Sequence, residues 1–199
     1  MNSELVRHLD KARDTVAEVD RIVSLHSYPS DARTVIVRGL LGLIMQHHRS
    51  ILQLLKSAAV DSAYALARDV VAAMRYGLWV NSAATEEQVL QVQECDTFPL
   101  SVPEMIEAIE RAYGKDAFFE SLKNRWASQL YKYTRTDVVR VGRWHIDPSA
   151  GLRSDDNEIR EVVTISTLCK VTLAAKFLDR QKHSTDCAKI EALAADYGT

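Results

Sequence analysis

The sequence predicts an all-α protein, an up-and-down bundle of four to five long helices with short accessory helices. Three observations predict it. Apolar residues recur every three or four positions in nearly every segment, the period of a helix with one buried face. Only 4 Pro and 7 Gly occur among 199 residues, too few for an all-β chain rich in tight turns. Apolar residues make up 47% and charged residues 26%, with a mean hydropathy of −0.16, the profile of a globular chain able to bury a substantial core.

The elements follow in order. From Asn2 to about His26, Leu5, Leu9, Ala12, Val16, Val19 and Val23 share one helical face. Ser27-Tyr28-Pro29-Ser30 breaks that helix, and Ser30 or Asp31 is placed to cap the next. The second helix, about Asp31 to Ser57, is very apolar in its middle and reads as the centre of the bundle. After a short break near Val60, a third helix runs from Asp61 to about Ala83. Thr85-Glu86-Glu87-Gln88 carries a capping signature and opens a shorter helix.

Cys95 to Pro103 reads as a loop. Pro103 suits the first turn of the helix that follows, Glu104 and Glu107 suit its positive end, and Gly114 stops it. Asp116 to about Trp144 reads as a long helix, with Asp137–Val141 as an alternative short strand, and His145 to Asn157 as irregular. A last long helix spans about Asp155 to Lys182, and a short one Ser184 to Tyr197. No repeat or composition shift divides the chain, so residues 1–199 are expected to form a single domain.

Charge and targeting signals exclude several classes. Net charge is −2 and pI about 6.3, so nothing global demands nucleic acid or a membrane. The N-terminus is dense in charge (Glu4, Arg7, Asp10, Lys11), unlike a signal peptide. No uncharged apolar stretch approaches the roughly 20 residues a bilayer span needs. Cys95, Cys169 and Cys187 cannot all pair within one chain and lack metal-motif spacing. A cytoplasmic protein with reduced thiols is expected.

Familiar catalytic motifs are missing from the sequence. It has no phosphate-binding loop, dinucleotide fingerprint or His-Glu-x-x-His pair. A di-iron bundle needs Glu three residues before His, but Leu5, Val23, Ile44, Met45, Gly142 and Arg180 hold those positions. His47 and His48 point about 100° apart on a helix, so they read as solvated or capped rather than as one metal site. No metal or cofactor is expected.

Charge is segregated along the chain. From Tyr76 to Glu110 there are no cations before Arg111, only Glu86, Glu87, Glu94, Asp96, Glu104, Glu107 and Glu110. From Lys123 to Trp144 the balance reverses: Lys123, Arg125, Lys132, Arg135, Arg140 and Arg143 oppose Asp137 alone. Trp126, Tyr131, Tyr133 and Trp144 interleave with those cations, the combination that single-stranded nucleic acid requires. The plainer reading is a buried aromatic face beside basic residues that pair with the acidic segment. The third helix carries a related stripe, Asp61, Tyr64, Arg68, Ala72, Arg75 and Trp79, within about 40° of one line. It suits a cleft or a subunit interface, or a solvent-facing row. The candidate binding or interface residues are therefore Arg68, Arg75, Trp79, Tyr133, Arg135, Arg140 and Arg143. Catalytic residues are not identified.

Ser62-Ala63-Tyr64-Ala65-Leu66-Ala67-Arg68, Gly77-Leu78-Trp79-Val80 and Ala84-Thr85-Glu86-Glu87-Gln88-Val89 together resemble a family of uncharacterised bacterial all-helical proteins. Phe98-Pro99, Met105–Glu110 and Tyr133-Thr134 extend the resemblance over roughly residues 46–148. The family is distantly similar to HEPN domains, which implies dimers, RNA and a defence or toxin–antitoxin setting. Two positions depart from the family pattern, since Ala72 replaces an acid and Arg135 a histidine. HEPN ribonucleases pair Arg with His four to six residues later, as in Arg21 and His26, but the arginine content makes one such match expected by chance.

The expectation is a non-catalytic protein acting through homo-oligomerisation and a partner, RNA or protein, with no membrane. The alternative is a HEPN-like, metal-independent ribonuclease using arginines with His26 or His145.

Overall fold

A computed structural model describes residues 2–95, 97–114 and 156–198. Among these residues the structure is all-α, with seven helices and no strand. α1 spans Ser3–Ser24, α2 Ala32–Lys56, α3 Val60–Ser82, α4 Glu86–Cys95 and α5 Val102–Tyr113. After the segment outside the described residues come α6, Asp156–Arg180, and α7, Ser184–Gly198. The buried side chains of all seven join one hydrophobic cluster.

Local chemistry explains the boundaries. Asn2 caps α1 by accepting from the Leu5 N–H at 2.7 Å, and Asp31 caps α2 through the Thr34 N–H at 3.0 Å. That bond holds the Asp31 carboxyl below its ordinary range. Before α4, Thr85 and Gln88 exchange side-chain to backbone hydrogen bonds of 3.0 and 3.2 Å, the reciprocal capping box. Before α5, Glu104 reaches back to the Ser101 N–H at 2.8 Å. Gly114 follows α5 at φ 76°, a conformation that suits glycine.

Packing revises the expected centre of the bundle. α6, not α2, is enclosed on nearly every side, contacting α1, α2, α3 and α7. Its polar residues disguise this in the sequence. Ser166 and Thr167 both donate to the Val163 carbonyl, and Lys170 donates to that of Leu41, so their burial leaves few unmet hydrogen bonds. α2 and α3, joined by three residues, make the most extensive helix–helix contact and must run antiparallel. α3 approaches α6 closely at Gly77, where a Cβ would lie 2.5 Å from Leu173 Cδ2.

The end of α3 is held by two arginines. Arg33 from α2, itself buried, donates to the carbonyls of Val80 and Ala84 and to Glu86. Arg180 from α6 donates to the Asn81 carbonyl at 2.7 Å. These guanidiniums satisfy carbonyls that a helix end otherwise leaves open. The three cysteines are free: Cys95 exposed at the end of α4, Cys187 buried in α7 and Cys169 fully buried in α6. Burial pushes the Cys169 thiol far above its ordinary pKa. No described helix is long and apolar enough to cross a membrane.

Candidate functional site

Of the residues proposed from sequence, the three on α3 that lie among the described residues differ widely in exposure. Arg68 is exposed on α3, 3.9 Å from Asp69. Arg75 is half-buried with its guanidinium 5.2 Å from the Tyr76 ring centre, and its Nε has no hydrogen-bond partner among the described residues. Trp79 is 0% exposed and meets Phe98 edge-on at 6.1 Å, and Tyr64 is buried as well. The stripe is split because α3 packs against α2, α5 and α6, which together cover most of its circumference. Tyr133, Arg135, Arg140 and Arg143 lie outside the described residues, as do His145 and the rest of the basic stretch.

Arg21 and His26 are each bonded to a carboxylate. Arg21 is held by Glu18 at 2.6 and 2.7 Å. His26 Nε2 lies 2.8 Å from Asp186 Oδ2, and its ring stacks on His183 with centroids 3.8 Å apart. Lys189 holds the other Asp186 oxygen at 2.7 Å. The Lys189 and His26 bonds keep the Asp186 carboxyl below its usual range. The cluster fastens the start of α7 to the end of α1.

The buried polar chemistry lies where α1, α2 and α6 meet. His48 on α2 is 1% exposed, with Nδ1 2.8 Å from Ser166 Oγ. Its Nε2 is buried near the Ala12 backbone without a well-formed hydrogen bond. Desolvation, aided by the charges of Lys170 and Arg49, lowers its pKa to about 4, so the ring is neutral at ordinary pH. The expectation of a solvated or capped His48 is thus corrected. Lys170 is also 1% exposed and donates to Asp20 at 3.2 Å and to the Leu41 carbonyl at 3.0 Å. Desolvation lowers its pKa despite the opposing pull of Asp20.

A Ser–His contact suggests a nucleophile, but Ser166 is wholly buried and already donates to the Val163 carbonyl, so no external substrate reaches it. The sequence did hold a signal for His48. It keeps phase with Leu41, Ile44, Ile51, Leu52 and Leu55, the buried face of α2.

Two features reach solvent. One is a groove of about 440 Å³ between α1 and the second half of α2, whose wall includes His48. The other is the outer face of α2. There Val35 is 52% and Leu43 38% exposed, and Gly39 and Gly42 lie between them, with nothing among the described residues within 4 Å of where a Cβ would stand.

Residues 41–190 match the model of a family of unknown function (DUF6988), about three quarters of the chain. No curated protein and no solved structure matches.

Proposed function

The chain belongs to this family of unknown function, and we propose that it acts without catalysis, by self-association along α2 and by binding a partner. One observation carries the self-association. Gly39 and Gly42 sit inside a 25-residue helix, where each glycine costs about 1 kcal/mol relative to alanine. Nothing within the described chain uses the space a side chain would occupy there. A second backbone approaching closely would use it. Val35, Gly39, Gly42 and Leu43 fall within about 100° of arc, a face suited to pairing with its own copy about a two-fold axis.

The non-catalytic half of the reading draws on the engaged state of the polar groups described above. His48 and Ser166 are enclosed in the core, and Arg21 and His26 are each committed to other partners. Cytoplasmic RNA is the partner class suggested by the cations and aromatic residues between Lys123 and Trp144. The HEPN-like ribonuclease is the rival reading.

Light scattering coupled to size exclusion tests the association. The wild type is expected at twice the 22.4 kDa chain mass or more at micromolar concentration. Replacing Gly39 and Gly42 with Leu should lower that mass and leave the helical spectrum intact. A wild type at the single-chain mass, with Gly42→Ala merely raising thermal stability, would overturn the reading.

A further inference from the structure

The groove between α1 and α2 has a physical origin. Both helices pack on α6 but touch one another little, which leaves a cleft above the buried polar seam. Its volume of about 440 Å³ falls within the range of small-molecule sites. Leu9 and Val16 of α1 and Met45 and Leu52 of α2 form its floor, each only 1–7% exposed, so the bottom of the groove is aliphatic.

The edges are cationic. Arg49, Gln53 and Lys56 follow one another at i, i+4 and i+7 along one rim, and Arg13 stands on the other. Among the described residues no acidic side chain lines the groove. Arg13 is already held by Asp10 and Asp14. Arg49 and Lys56 have no carboxylate within 4.0 Å among the described residues, in contrast to Arg21, Arg33, Arg160, Lys170 and Lys189. The Lys170 ammonium, felt at His48 together with the Arg49 charge, is itself paired with Asp20, so the charge offered to a ligand is that of Arg49 and Lys56.

We propose that this groove binds a small amphiphilic anion, an alkyl carboxylate whose chain lies along Leu9, Val16, Met45 and Leu52 and whose head is held by Arg49 and Lys56. Arginine and lysine supply charge-assisted hydrogen bonds to a carboxylate. The aliphatic interior takes the chain out of water, with a gain proportional to the apolar area covered. A nucleobase is a poor fit, because no Phe, Tyr or Trp among the described residues lines the groove to stack on it. A metal cation is a worse one, because no carboxylate among the described residues lines it. The source is a free carboxylate rather than a bilayer, because the apolar surface is recessed between two helices and not raised above them.

Isothermal titration of the full chain with octanoate tests this, with acetate and octyltrimethylammonium as chain-free and charge-reversed controls. Octanoate should bind one per chain in the millimolar range or tighter, acetate much more weakly and the ammonium not at all. Arg49→Glu with Lys56→Glu should weaken octanoate by about tenfold or more, with helicity and thermal midpoint unchanged. The milder Arg49→Gln with Lys56→Gln should give a smaller loss in the same direction. Ala17→Trp, at an exposed position on the groove wall, should abolish binding by filling the space. The proposal is overturned by a wild type that ignores octanoate, by charge variants that bind it as well as the wild type, or by equal binding of the ammonium. Co-sedimentation with phosphatidylglycerol vesicles, in place of octanoate binding, would overturn it too. None of these outcomes depends on the association along α2.

Discussion

His48 shows how far a single side chain can be read. Its helical phase places it on the buried face of α2, yet its polarity argues for solvent, and only the structure supplies Ser166 as a partner. The partner is 118 residues away, a separation no local pattern encodes. A pH dependence follows. The folded ring takes up a proton only near pH 4, whereas an unfolded histidine does so near 6.5. Between those values the unfolded chain binds more protons, so stability falls as pH drops through the window. The difference corresponds to about 3 kcal/mol once the pH is well below 4. Thermal midpoints measured from pH 7 to 4 should fall more steeply in the wild type than in His48→Gln. Parallel curves would show that the ring is not buried neutral. Buried Lys170 was equally hard to foresee, since a lone lysine in an apolar run reads as an exposed edge until Leu41 and Asp20 are seen beside it.

At the scale of elements the sequence was most informative. Asp31, Thr85 with Gln88, Pro103 and Gly114 mark boundaries because caps and breakers act within one turn of their own position. The identity of the central helix was not legible. α6 carries Ser166, Thr167 and Lys170 among its apolar residues, and hydropathy counts these as polar although each is bonded internally. Nor was the fate of the α3 stripe, because an angle around one helix does not say how many neighbours surround it. The glycines make a contrast that can be tested. Gly77→Ala should lower stability by about 1–3 kcal/mol, since Leu173 is fully buried and has little room to give. Chemical denaturation measures it, and an unchanged midpoint would mean the α3–α6 contact is looser than 2.5 Å implies. Alanine at Gly42 meets no such obstacle among the described residues of its own chain.

Among the described residues α1, α2, α3 and α7 gather on α6, while α4 packs on α2 and α5 on α3, and α1 with the first residues of α2 precedes the part that matches the family. Among the described residues the fold class and the order of elements were legible, because apolar periodicity survives in most of the helices there. The site was not, because it arises where three helices from distant parts of the sequence meet. The acidic block illustrates the difference. In sequence it is one run of charge, whereas in the structure Glu86 pairs with Arg33 of α2 and Glu104 caps its own helix.

The three thiols, placed at graded depth, make the chain its own reporter of opening. Only thiolate reacts with an alkylating reagent, and it must first meet the reagent. Cys95 lies open to solvent, Cys187 becomes accessible when α7 lifts away, and Cys169 only when α6 is laid bare. Mass spectrometry after brief iodoacetamide pulses in rising denaturant should therefore count one adduct, then two, then three. The interval between the second and third steps measures how independently α7 detaches, and simultaneous labelling of Cys187 and Cys169 would show that it does not.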